Sequence, residues 1–142
     1  MVGIKINIKV SIDDAKLQSI IRKFPKIKDN IVLAGARKGA ELVKRGIEMQ
    51  RSEWPELSPA TIARKGHNVI MIDSTDFYRS IDYKLSGSGQ AVYFTDVEYM
   101  PLHEFGLLEG VPRRASFTPT VEGSELQEIV DAIVKSAMME LN

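Results

Sequence analysis

His103 and Glu104 are of the types that general acid–base catalysis uses, an imidazole next to a carboxyl group. The same dipeptide opens the zinc-protease helix, where a second histidine one turn further completes the metal pair. The chain's other histidine is His67, and none follows Glu104 at that spacing. A serine nucleophile needs a histidine base held by a third group, and neither Ser58 nor Ser80 has that context. Gly35, Gly39 and Gly46 match neither glycine-rich phosphate fingerprint. Asp73 and Asp76 read as helix caps rather than magnesium ligands. With no cysteine in the chain, disulfides and thiolate metal sites are excluded, and a reducing cytoplasm is the compartment that fits. No catalytic, cofactor-binding or metal set emerges, so His103 and Glu104 are expected to be a structural pair hydrogen-bonding the segment after them. A small hydrolase built on the two is the rival from the enzyme class.

The element that must position this pair is the stretch from Asp96 to Gly106. Its pattern predicts a short helix capped by Asp96, with Glu98 in the first turn and Gly106 as the left-handed terminator. Pro101 marks where the hydrogen-bond ladder starts or bends. Tyr99, Leu102 and Phe105 recur every three residues and are expected on one anchored face, with His103 and Glu104 on the other. So short a helix needs anchorage from the rest of the chain.

That remainder reads as α+β. Ile4 to Ile12 alternates apolar and polar residues, the signature of a half-buried strand. Asp13 and Asp14 cap a helix over about 15–24, with Leu17, Ile20, Ile21 and Phe24 on one side, and Pro25 stops it. A long helix over about 27–50 turns Val32, Ala36, Gly39, Ala40, Val43 and Ile47 inward. Its glycines imply close approach of another backbone, since each weakens the helix by roughly 1 kcal/mol. Ser58-Pro59 starts a helix that ends at Gly66. Trp54 reads as a core or edge anchor, or else as an interface hot spot. Asp73, Ser74 and Thr75 cap a short helix that buries Phe77. Strands at about 81–85 and 91–95 form a hairpin around Gly87-Ser88-Gly89. Residues 107–117 read as an irregular arm leaving the domain, in which exposed Leu107, Leu108 and Val111 would suit a subunit contact. Ser124 and Gln127 form a capping box for a last helix carrying Leu126, Ile129, Val130, Ile133, Val134, Ala137 and Leu141. The expected architecture is one domain over 1–142: a small antiparallel or mixed sheet packed against a long helix and a C-terminal helix, with an extended interface arm.

Net charge is zero, but its distribution is uneven. Residues 1–72 hold 14 Lys/Arg and 7 Asp/Glu, and residues 73–142 hold 5 and 12. This division is consistent with solvated surface charge, with head-to-tail association of copies, or with a nucleic-acid patch using Lys38, Lys44, Arg45, Arg64 and Lys65. No apolar run approaches the roughly 20 residues that cross a bilayer, and the alternating N-terminus is not a signal peptide.

Several blocks then fall in a telling order: Trp54-Pro-Glu-Leu57-Ser58-Pro59-Ala-Thr61-Ile62-Ala-Arg64-Lys65-Gly66, Ile72-Asp73-Ser74-Thr75, Ser80-Ile81, and Val97-Glu98-Tyr99-Met-Pro101-Leu-His103-Glu104-Phe105-Gly106. Together they span about half the chain, and this order and spacing resembles the virion morphogenesis proteins of tailed bacteriophages, the tail-completion or neck proteins. The sequence departs from that pattern at Thr75, where the family usually has glycine, and over Pro112 to Pro119. The resemblance implies a non-enzymatic protein of the virion, assembled in the host cytoplasm. It would form a homo-oligomeric ring at the head–tail junction, flanked by other connector or tail proteins, with DNA passing through. Subunit contacts are then expected near 54–66 and 97–117, at Trp54, Leu57, Arg64, Tyr99, His103, Glu104, Phe105, Leu107, Leu108, Val111, Arg113 and Arg114.

Overall fold

In a computed structural model, residues 3–70 and 76–141 are described. Strand β1 (Ile4–Lys9) ends three residues before its alternating pattern does. Helix α1 (Ala15–Lys23) follows, its N-terminus capped by the Asp14 carboxylate, which accepts from the Leu17 N–H at 2.8 Å. Leu17 is buried as expected, whereas Phe24 lies just past the helix end and is exposed. Helix α2 (Lys26–Glu48) buries the whole expected stripe and also Ile31, Gly35 and Leu42. A helix packed against more than one neighbour buries a wider arc than one amphipathic face provides.

Helix α3 (Pro59–Lys65) is started by Ser58, whose hydroxyl accepts the Thr61 N–H, and ends at Gly66 with φ of 81°. Helix α4 (Asp76–Ser80) buries Phe77. The predicted caps Asp73, Ser74 and Thr75 lie outside the described residues. Strands β2 (Asp82–Gly87) and β3 (Gln90–Thr95) form the expected hairpin. Among the described residues the sheet has three antiparallel strands in the order β1-β3-β2, with Ile4 opposite Thr95 and Lys9 opposite Gln90. β3 is the central strand and its Ala91, Tyr93 and Thr95 are buried. Helix α5 (Met100–Phe105), a single 3₁₀ turn over Thr118–Val121 and helix α6 (Gly123–Leu141) complete the chain.

The core joins β1 and β3 to α2, with Trp54, Phe77, Met100, Phe117 and Ile129 closing its ends. Side chains, not another backbone, occupy the room left by the glycines of α2. A Cβ on Gly39 would lie 2.3–2.5 Å from the Tyr93 ring, and one on Gly35 would meet Ile133. Tyr93 stacks on Phe117 with centroids 6.0 Å apart, and its hydroxyl meets Thr120 Oγ1 at 2.7 Å. Burial pushes the Tyr93 phenol up to about 12.

Part of the charge division closes on itself. α2 and α6 run antiparallel, and Arg45 pairs with Glu128 through two hydrogen bonds of 3.0 and 2.6 Å. Arg51, just beyond α2, grips Glu125 in the same two-pronged way at 2.7 and 2.8 Å. The basic and acidic halves therefore meet within one chain. α6 departs from expectation in two respects. It begins at Gly123 and Gln127 donates to Asp131 rather than closing a capping box. Only the side of α6 that faces α2 is covered: Ile129 is buried, while Leu126, Val130, Val134 and Met138 remain exposed.

Candidate functional site

α5 starts later than its sequence suggests. Tyr99 holds the N-cap position without a side-chain hydrogen bond, and Pro101 falls in the first turn, where its missing N–H has no helical partner to lose. Asp96 is exposed and caps nothing. The Val97 N–H instead meets Thr95 Oγ1. The helix is also rotated relative to expectation. Tyr99 and Phe105 point outward at 49 % and 56 % exposure, while Met100 and Glu104, one turn apart, point inward.

Glu104 is completely buried, and the reason is local. Its carboxylate accepts the backbone N–H groups of Ser116 (2.8 Å), Phe117 (3.0 and 3.2 Å) and Thr118 (2.7 Å). These are three successive donors entering a tight turn, which no regular ladder satisfies. One carboxylate replaces that ladder and ties the end of the arm to α5. The carboxylate is thereby committed to the backbone and is not paired with His103.

The arm therefore does not leave the domain over its whole length. Arg113 Nε donates to the Glu104 carbonyl at 2.8 Å, and the Arg114 N–H donates to the His103 carbonyl at 3.0 Å. The Arg114 guanidinium is buried and donates to the carbonyls of Pro55 and Glu56 at 2.8 and 2.9 Å. Trp54 is buried beside it, and its indole N–H donates to the Ala115 carbonyl at 2.8 Å. Only residues 107–112 project, as a turn bounded by left-handed Gly106 (φ 64°) and Gly110 (φ 77°).

Between α3, α5 and this turn lies a cleft of about 670 Å³, a size typical of ligand and partner sites. Leu57, Ile70, Phe77, Met100 and Val111 give it apolar walls, and Arg64 and Lys65 supply cationic groups. His103 also lines it. Its Nδ1 is buried with no partner among the described residues, and burial together with the nearby Arg114 charge holds the imidazole below its usual range. The fold thus favours neutral His103. As pH falls through about 6.5 the unfolded chain takes up its proton first, so stability is lost below that value. We expect the melting temperature of the wild type to fall more between pH 7.5 and 5.5 than that of His103→Gln. Equal falls would show that His103 titrates as it does in the unfolded chain.

The expected contact residues divide into three groups. Leu57, Arg64, Tyr99, His103 and Val111 line the cleft, while Phe105, Leu107, Leu108 and Arg113 lie exposed beside or beyond it. Trp54, Glu104 and Arg114 are buried and hold these in place, Arg114 also reaching the cleft wall. The anchoring role of Ser116 to Thr118 and of the Pro55 and Glu56 carbonyls had no sequence signal, because backbone groups leave none. Four of the five basic residues weighed for nucleic acid have partners within the chain. Lys38 pairs with Glu41, Lys44 lies over the Tyr78 ring, Arg45 pairs with Glu128, and Lys65 donates to the Val69 carbonyl. Among the described residues no three metal-ligating side chains cluster, and no helix is long and apolar enough to cross a membrane. Comparison with models of protein families, with curated proteins and with solved structures finds no match to this chain.

Proposed function

We propose that this chain is a structural subunit of a tailed-phage or prophage virion. It would complete the tail or neck at the head–tail junction as a homo-oligomeric ring through which DNA passes. One observation carries the reading. The sequence blocks of the resemblance, from Leu57 to Lys65 and from Tyr99 to His103, come together around one cleft. Beside it, Tyr99, Phe105, Leu107 and Leu108 expose large apolar surface. Such a patch on a small domain suits contact with another protein. The commitment of Glu104 to three backbone N–H groups supports assembly rather than acid–base chemistry at His103-Glu104.

The test is co-assembly. Purified protein mixed with tail tubes or DNA-filled heads lacking their junction component should add a ring visible by electron microscopy and restore infectious particles. A protein that stays monomeric in light scattering and fails to dock on either part would overturn the reading. DNA affinity that falls steeply with salt, without docking, would instead favour a nucleic-acid-binding module.

A further inference from the structure

Leu107, Leu108 and Glu109 form an unusual projection. Leucines in an irregular segment ordinarily fold back onto the nearest apolar surface, and here a partly apolar cleft lies immediately alongside. The backbone prevents that collapse. The Leu107 N–H donates to the Leu102 carbonyl at 3.0 Å, and the Val111 N–H to the Leu108 carbonyl at 3.1 Å. Gly106 and Gly110 supply the two left-handed residues that reverse the chain. Arg113 and Arg114 fasten the returning strand to α5. Leu107 is thus held outward at 65 % exposure by a turn shaped in advance, which lowers the ordering cost of inserting it elsewhere.

The cleft beside it has the complementary chemistry. Its walls are partly apolar, with acidic Glu56 at one side. Lys65 Nζ is engaged by the Val69 carbonyl at 2.9 Å, and Arg64 is left with no ion pair among the described residues. Glu109 likewise forms none. Two leucines followed by a carboxylate match apolar walls next to cationic groups. The other exposed segment of similar character is Met138-Met139-Glu140 at the end of α6. There the carboxylate is already engaged, accepting from the Asn30 amide at 3.1 Å.

We propose that the cleft is the socket for the Leu107-Leu108-Glu109 turn of a second copy of this chain, with Glu109 meeting Arg64. This rests on the reading of the protein as an assembling subunit and names the contact through which copies join. Turn and socket adjoin, because Gly110, Val111 and Pro112 run from one into the wall of the other. The contact therefore either passes from copy to copy, which builds a ring, or is exchanged between two copies, which closes a dimer.

The absence of cysteine allows a clean test. A Thr61→Cys chain is mixed with a Leu108→Cys chain at high concentration and oxidised gently. Only intermolecular disulfides can form. The mixed dimer should exceed the share that random coupling of equal amounts gives, and should exceed the yield from Thr61→Cys mixed with Met138→Cys. Adding Glu109→Lys to the Leu108→Cys chain should lower the yield several-fold, and adding Arg64→Glu to the Thr61→Cys chain should restore it. A mixed yield no greater than the Met138→Cys control overturns the socket. If that happens while the wild type still docks on virion parts, the socket falls and the subunit reading stands. If the mixed disulfide forms but no docking occurs, the socket stands and the phage reading falls.

Discussion

Replacing Glu104 by alanine is expected to remove about 4 kcal/mol of folding stability, since each buried N–H left without a partner costs about 1–3 kcal/mol. Ser116 and Phe117 are fully buried, so water cannot take over their donors. A domain of ordinary stability, about 5–15 kcal/mol, would be left close to marginal. In urea the midpoint should fall by about 2 M, given a typical slope of about 2 kcal/mol per molar. Glu104→Gln should lose about half as much, because one acceptor oxygen survives while the amide turns a donor towards N–H groups. Hydrogen exchange should show the amides of residues 116–118 opening first. A loss under about 1 kcal/mol for the alanine variant would mean that the carboxylate does not hold the arm.

The second large effect is expected at Gly39. Alanine normally improves a helix by about 1 kcal/mol over glycine, yet here the added methyl would enter the Tyr93 ring. That ring has no easy retreat: it is fully buried, stacked on Phe117 and hydrogen-bonded through its hydroxyl to Thr120. Overpacking of this kind costs about 1–3 kcal/mol and occasionally more. With the overlap this deep the cost falls at the upper end, about 3 kcal/mol, so Gly39→Ala should be destabilised by about 2 kcal/mol net after the helix gain. Gly35→Ala is the control. Its methyl meets Cγ1 and Cδ1 of the half-buried Ile133 side chain at 2.8–2.9 Å, a branch that can change rotamer, and Ile8 Cγ2 at an ordinary 3.4 Å. That variant should remain near wild type in thermal and urea unfolding. If the two behave alike, the Tyr93 contact does not explain the glycine.

These two sites mark where reading the sequence succeeds and where it stops. The strand at Ile4, the inward stripe of α2, the Ser58 cap and the Gly66 and Gly106 terminators were all legible. Each is written in local spacing or in one residue's backbone preference. The orientation of α5 was not. Tyr99, Leu102 and Phe105 carry the apolar signal, so a pattern rule buries them and exposes Glu104. The structure reverses this because burial of Glu104 is compensated by three donors 12 to 14 residues away, and main-chain donors are invisible to hydropathy. The same blindness hid the return of the arm. It also hid the pairing of Arg45 and Arg51 with α6, since the charge totals of two halves say nothing about whether they meet in one molecule. For α6 the apolar arc is wider than the surface α2 covers, leaving Leu126, Val130, Val134 and Met138 in solvent.

The pairing of Ile4 with Thr95 has a consequence for how the molecule comes into being. β1 has no partner in the sheet until the residues of β3, far later in the chain, have followed it. Meanwhile the apolar stripe of α2 is already synthesised and uncovered. Native pairings so distant along the chain slow folding, because a long loop must close before any contact rewards it. The β2–β3 hairpin is local, whereas the pairing of β1 with β3 must wait for distant segments to meet. A ribosome stalled before residue 90 should therefore display a protease-sensitive chain, and protection should appear only after β3 has emerged.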